Sequence, residues 1–154
     1  MIYKDSKENL FKEGLIKKCP VDFPAIKKLV KRACVDLITA KRNLQLDEEC
    51  AYNYSYNAMM RSALALMFSE GYRPEIKDKH LTIVRFASSI LGPEFKRLIN
   101  DYDFMRKKRN RFIYEPDIPC SIKEAKDAIK TAEQFVARIS ELIQKQNPQQ
   151  ELKF

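Results

Sequence analysis

The chain has no tryptophan and only 3 glycines among its 154 residues. So few turn-formers, set against abundant alanine, leucine, lysine and glutamate, point to long helices joined by short loops. There is one histidine, His80, and none of the four cysteines stands in a C-x-x-C pair. No zinc set can be assembled from these. Cys19, Cys34, Cys50 and Cys120 read as free, partly buried thiols of a reducing compartment. No apolar run is long enough to span a bilayer. The opening Met1-Ile2-Tyr3-Lys4-Asp5 is charged at once, unlike a secretory leader, so the chain reads as cytoplasmic with no membrane association. A glycine-rich phosphate loop and a Ser/His/Asp order are also missing, so neither a cofactor nor a metal is expected.

What is present is ordinary for a globular domain: 45% hydrophobic and 32% charged residues. The length suggests one domain spanning 1–154, with residues 1–20 as an N-terminal arm and 147–154 as a frayed polar tail. The formal net charge is +8, which suits an anionic partner such as RNA, a nucleotide or an acidic protein.

Apolar residues recur at steps of three and four along most of the chain. A short helix is expected over residues 5–18, broken at Cys19-Pro20. Asp22 is a candidate N-cap, with Pro24 in the first turn of a helix over 23–45 whose inner stripe is Ile26, Val30, Ala33, Leu37, Ala40 and Leu44. Asp47 opens a helix over 48–70 that Gly71 ends. One of its faces is small (Ala51, Ser55, Ala58, Ser62, Ala65, Ser69), the other bulky (Tyr52, Tyr56, Met59, Leu66, Met67). A helix apolar nearly all round is central or lies at an interface. Tyr72-Arg73-Pro74 reads as a turn, and Asp78 as the cap of a helix over 79–91. Gly92-Pro93 separates that helix from the next, over 93–114. Ser121 and Glu124 form a capping box for a last helix ending near Gln146. No strand and no internal repeat is expected. The predicted fold is all-α: an up-and-down four-helix bundle with an additional short N-terminal helix.

The most informative stretch runs from Met105 to Pro116. Arg106, Lys107, Lys108, Arg109 and Arg111 place five cations in six residues. Such a run is ordinarily a solvated face with snorkelling stems. One of the five is different. The buried stripe Phe95, Leu98, Tyr102, Met105, Phe112 leaves the slot between Met105 and Phe112 to Arg109. A guanidinium there must be paired or reach a wet cavity or an interface. Arg106, Asn110 and Tyr114 line up beside it at steps of four, and Pro116 ends the helix. Asp101 and Asp103 are the candidate ion-pair partners for Arg106, Lys107 or Lys108. His80, in the first turn of its helix, reads as a structural residue or as a titratable member of a site.

Arg109-Asn110-Arg111-Phe112-Ile113-Tyr114 resembles the Arg-Asn-x-x-x-His motif of HEPN domains (higher eukaryotes and prokaryotes nucleotide-binding), with tyrosine in the histidine place. The likeness extends to Ala51-Tyr52-Asn53-Tyr54-Ser55-Tyr56-Asn57-Ala58, to Gly71-Tyr72-Arg73-Pro74 and to Asp78-Lys79-His80. Catalytic HEPN proteins are metal-independent ribonucleases, often toxins of toxin–antitoxin pairs, in which two motifs face each other across a homodimer. By position, the resemblance implies that Arg109 binds a phosphate, that Asn110 orients it, and that Tyr114 stands where the acid/base belongs. Arg106, Lys107, Lys108, Arg111 and His80 would complete a nucleic-acid- or nucleotide-binding surface. A phenol with a reference pKa of about 10, against about 6.5 for imidazole, is a poor base at neutral pH. Three readings therefore compete. The first is an RNA- or nucleotide-binding dimer. The second is a partner subunit of a minimal nucleotidyltransferase, with Tyr114 as modification acceptor. The third is a metal-independent ribonuclease using Tyr114 or His80.

Overall fold

The computed structural model describes residues 6–152. The expectations for Met1–Asp5, and for the last two residues of the tail, lie outside them. The fold is an all-α helical bundle, as the residue periodicity predicts. Its long helices are α2 (Phe23–Asn43), α3 (Glu48–Ser69), α5 (Lys96–Tyr114) and α6 (Ile122–Gln146), joined by the shorter α1 (Lys7–Lys12) and α4 (Lys79–Ile90). A single 3-10 turn, Pro93–Phe95, leads into α5.

Three of the helix starts form as their sequences dictate. Asp22, Asp47 and Ser121 each accept a hydrogen bond from the backbone N–H three residues on, at 3.2, 3.0 and 3.1 Å, which satisfies one of the orphan donors of the first turn. Two expectations at helix starts need correction. Asp78 sits in the left-handed region (φ 52°) and makes no side-chain cap. Glu124 does not turn back to close a capping box but reaches Lys108 on α5.

α3 is the central helix. It packs against α2, α4, α5 and α6, and its buried residues lie on both its small and its bulky face. The small face lets α2 and α6 approach closely: Ala58 packs with Ala33 and Val136, and Ala51 with Ala40, Ala125 and Ile129. The bulky face carries Tyr52 and Tyr56 towards α5 and α4. A charged residue is sealed in the α2–α3 seam. Asp36 is fully buried and its carboxylate lies 2.8 Å from Arg61 Nε and 3.6 Å from Arg32 Nε. Leu37, expected inside, is only partly buried, because Asp36 takes the inward slot to meet Arg61.

The segment before α2 departs most from expectation. The helix ends at Lys12, and Gly14 (φ 72°) turns the chain. Ile16–Lys18 then forms a strand, β1, antiparallel to β2 (Tyr72–Pro74), with Ile16 opposite Pro74 and Lys18 opposite Tyr72. Thus both the helical reading of 13–18 and the expected absence of strands are corrected. The pairing ties the arm to the bundle, since Leu10 and Ile16 are buried in the main core. At the other end, Leu152 packs on the same core and its N–H bonds Gln144 Oε1 at 2.9 Å.

No helix among the described residues is long and apolar enough to cross a membrane.

Candidate nucleotide or RNA site at the junction of α3, α4 and α5

The buried side of α5 is set by Leu98, Ile99, Tyr102, Asp103, Met105 and Phe112. Arg109 falls on this stripe, between Met105 and Phe112, and is only partly exposed. Its guanidinium carbon lies over the ring of Tyr56 from α3, 5.5 Å from the centroid, within the range of a favourable cation–π contact.

The remaining cations of the run have carboxylate partners. Arg106 Nε donates to Asp103 Oδ1 at 3.0 Å, with a terminal guanidinium nitrogen at 2.9 Å from the same oxygen. Lys107 Nζ lies 3.2 Å from Asp103 Oδ2. Lys108 contacts Glu124 and sits over the rings of Tyr52 and Phe112. Arg111 Nε donates to Glu115 at 3.1 Å. Among the described residues Arg109 alone of the five lacks a carboxylate. Asp103 is buried and shared by two cations, so this corner keeps a surplus of positive charge.

His80, in the first turn of α4, completes the corner. Its Nδ1 is 2.7 Å from the hydroxyl of Tyr56, and the two rings are nearly parallel at a centroid separation of 5.8 Å. Tyr102 of α5 is fully buried and tilts against Tyr56 at 5.8 Å. Burial pushes the Tyr56 hydroxyl pKa well up, more than Arg109 and Arg106 lower it. Burial, followed by the charges of Arg109, Arg106 and Lys79, lowers that of His80. So at neutral pH the phenol keeps its proton and the imidazole is uncharged.

The expected site residues divide into two groups. Arg109, Arg106 and His80 meet, with Tyr56, at one corner. Lys107, Asn110, Arg111 and Tyr114 are exposed. Tyr114 is 82% exposed at the last turn of α5 and makes no hydrogen bond among the described residues. Five residues from Arg109 is about 140° round a helix, which turns Tyr114 off the inward stripe. Lys108 is held against α6, with its charge answered there. Tyr56 is the member that helix spacing alone left among core tyrosines. The available signal was its place one turn beyond Tyr52, on the bulky face of α3.

A cleft of about 370 Å³ lies elsewhere on α5, against α6, lined by Tyr52, Phe104, Lys108 and the carboxylates of Asp101, Glu124 and Asp127. Three carboxylates make it a poor receptor for a phosphate, whereas the Arg109 corner has the opposite sign. Among the described residues no group of His, Cys, Asp and Glu is arranged to hold a metal ion.

Neither a curated protein nor a solved structure matches the chain. The family model for the HEPN domain matches residues 26–142, from the first turn of α2 to the last turns of α6 and well over half of the sequence. The chain belongs to the HEPN domain family.

Proposed function

We propose that this HEPN protein binds a phosphate of RNA or of a nucleotide at the Arg109 corner, as a homodimer in which two such corners face each other. The observation that carries the reading is the state of Arg109: turned inward onto Tyr56, partly exposed, and without a carboxylate among the described residues. A partly sheltered guanidinium with no carboxylate of its own is a ready partner for an incoming phosphate, which accepts charge-assisted hydrogen bonds from it. His80 and the charge surplus around Asp103 support the same site, and Arg111 and Lys107 offer an exposed basic approach to it. The test is fluorescence anisotropy with a labelled single-stranded RNA. Hydrogen bonds to charged groups contribute about 1.5–3 kcal/mol, so Arg109→Ala should weaken binding at least about tenfold, with its helical circular-dichroism signal intact. Unchanged affinity in the folded variant contradicts the proposal.

A second reading is favoured by a separate observation. Tyr114 is exposed, with no hydrogen bond among the described residues, which suits a hydroxyl presented to a modifying partner such as a minimal nucleotidyltransferase. Mixing the protein with such an enzyme and ATP should then add the mass of a nucleotidyl group, and Tyr114→Phe should abolish the gain. An unmodified wild-type mass contradicts this reading.

A further inference from the structure

We propose that Tyr56 is a positioning residue that fixes His80 as a neutral Nε2–H donor, so that His80 and Arg109 together grip a phosphate through N–H groups and His80 is not the proton acceptor of the site. The proposal rests on the phosphate-binding reading above for its ligand. The Tyr56–His80 arrangement itself stands on geometry.

The Tyr56 ring is fully buried, and among the described residues its hydroxyl has one hydrogen-bond partner, His80 Nδ1 at 2.7 Å. A phenol has one proton to place and an imidazole nitrogen can be either donor or acceptor. If Nδ1 carried the proton, the phenol's own hydrogen would point into the core with no acceptor, and an orphaned buried donor is disfavoured. If the phenol donates, both groups are satisfied. Nδ1 then offers its lone pair, and the single imidazole proton must sit on Nε2.

The charged and titratable groups around the ring all favour the same state. From α3 it meets the Tyr56 phenol, held protonated by burial. From α5 it feels Arg109 and Arg106, and from its own helix Lys79, all of them cationic and opposed to an imidazolium. The carboxylate of Asp103 on α5 is engaged by Arg106 and Lys107. Nε2 has no protein partner among the described residues and is not sealed from solvent, and the same holds for the guanidinium nitrogens of Arg109. Two groups that contact Tyr56 are therefore open as N–H donors, one neutral and one cationic. Phosphate oxygens accept hydrogen bonds from N–H groups of either kind. A general base at Nε2 would need a lone pair that this tautomer does not have.

The chain's one histidine makes the test direct. A long-range proton–nitrogen NMR spectrum of the ¹⁵N-labelled protein near pH 7.5 contains a single imidazole. The expected pattern is Nε2–H with unprotonated Nδ1. An Nδ1–H tautomer or an imidazolium overturns the proposal without any ligand being added, and so independently of whether RNA binds. Tyr56→Phe removes the anchoring hydroxyl and should convert the pattern to a mixture of tautomers, and an unchanged pattern overturns it. In RNA binding, His80→Gln places an amide N–H near the position of Nε2–H and should stay within about threefold of wild type. His80→Ala should lose about tenfold or more, the loss expected for a hydrogen bond to a charged group. Equal losses in the two variants overturn the donor role. Wild-type affinity in Arg109→Ala would instead count against the phosphate site as a whole.

Discussion

At the scale of single residues, charge placed where it has no partner separates a working group from a structural one. Asp36 and Arg109 are both inward-facing charges. Asp36 is answered by Arg61 and Arg32 across the α2–α3 seam, so its role closes within the fold. Arg109 has only an aromatic face. His80 differs again: the fold keeps it neutral, and this leaves a trace in stability. Its folded pKa lies below the ordinary imidazole value, so as pH falls the unfolded chain takes up the proton first. Stability should therefore decline as pH drops below about 6.5, and continue to decline until the lowered folded value is passed. With no second histidine to confuse the window, the urea midpoint of the wild type should fall between pH 7.5 and 5 more steeply than that of His80→Gln. Parallel slopes would show that His80 is as easily protonated in the folded protein as in the unfolded chain. The inward position of Arg109 was legible because a three–four stripe leaves a definite slot between Met105 and Phe112. The Tyr56–His80 bond was not, since it depends on the rotation of α3 relative to α4, about which spacing within either helix says nothing.

At the scale of elements, helices were readable and the small sheet was not. Capping side chains and an apolar stripe carried over some twenty residues fix α2, α3 and α6 locally. β1 and β2 are three residues each and are paired across more than fifty positions; strands so short carry no periodicity, and their pairing is decided by how the arm docks on the bundle. Gly71 is the hinge of this arrangement. It follows the C-terminal end of α3 with φ 83°, and its carbonyl accepts from the Cys19 N–H at 2.9 Å. An alanine Cβ would meet the Cys19 carbonyl oxygen at an ordinary 3.6 Å, so crowding is not the issue. The left-handed conformation is. Gly71→Ala should cost about 1 kcal/mol in denaturant unfolding and speed hydrogen exchange at Cys19 more than in the middle of α3. No change in either would mean that the turn does not constrain the arm.

At the scale of the whole molecule, the formal charge of +8 sets a background attraction for any polyanion, and that background is sensitive to salt. A site must be distinguished from it. The family match over residues 26–142 and the helical architecture accord with the proposed nucleotide or RNA ligand, whose proposed contact is one corner of α5. Arg109 and Arg111 lie two residues apart and carry the same charge. They differ in that Arg109 faces Tyr56 and Arg111 pairs with Glu115 on the open surface. The most direct measurement is therefore the affinity of one labelled single-stranded RNA for Arg109→Ala and for Arg111→Ala, side by side at near-physiological salt. A built phosphate site predicts a loss of about tenfold or more for the first and about twofold for the second, as for an exposed charge. Equal losses in the two variants would mean that RNA is held by diffuse charge alone, and would contradict the account.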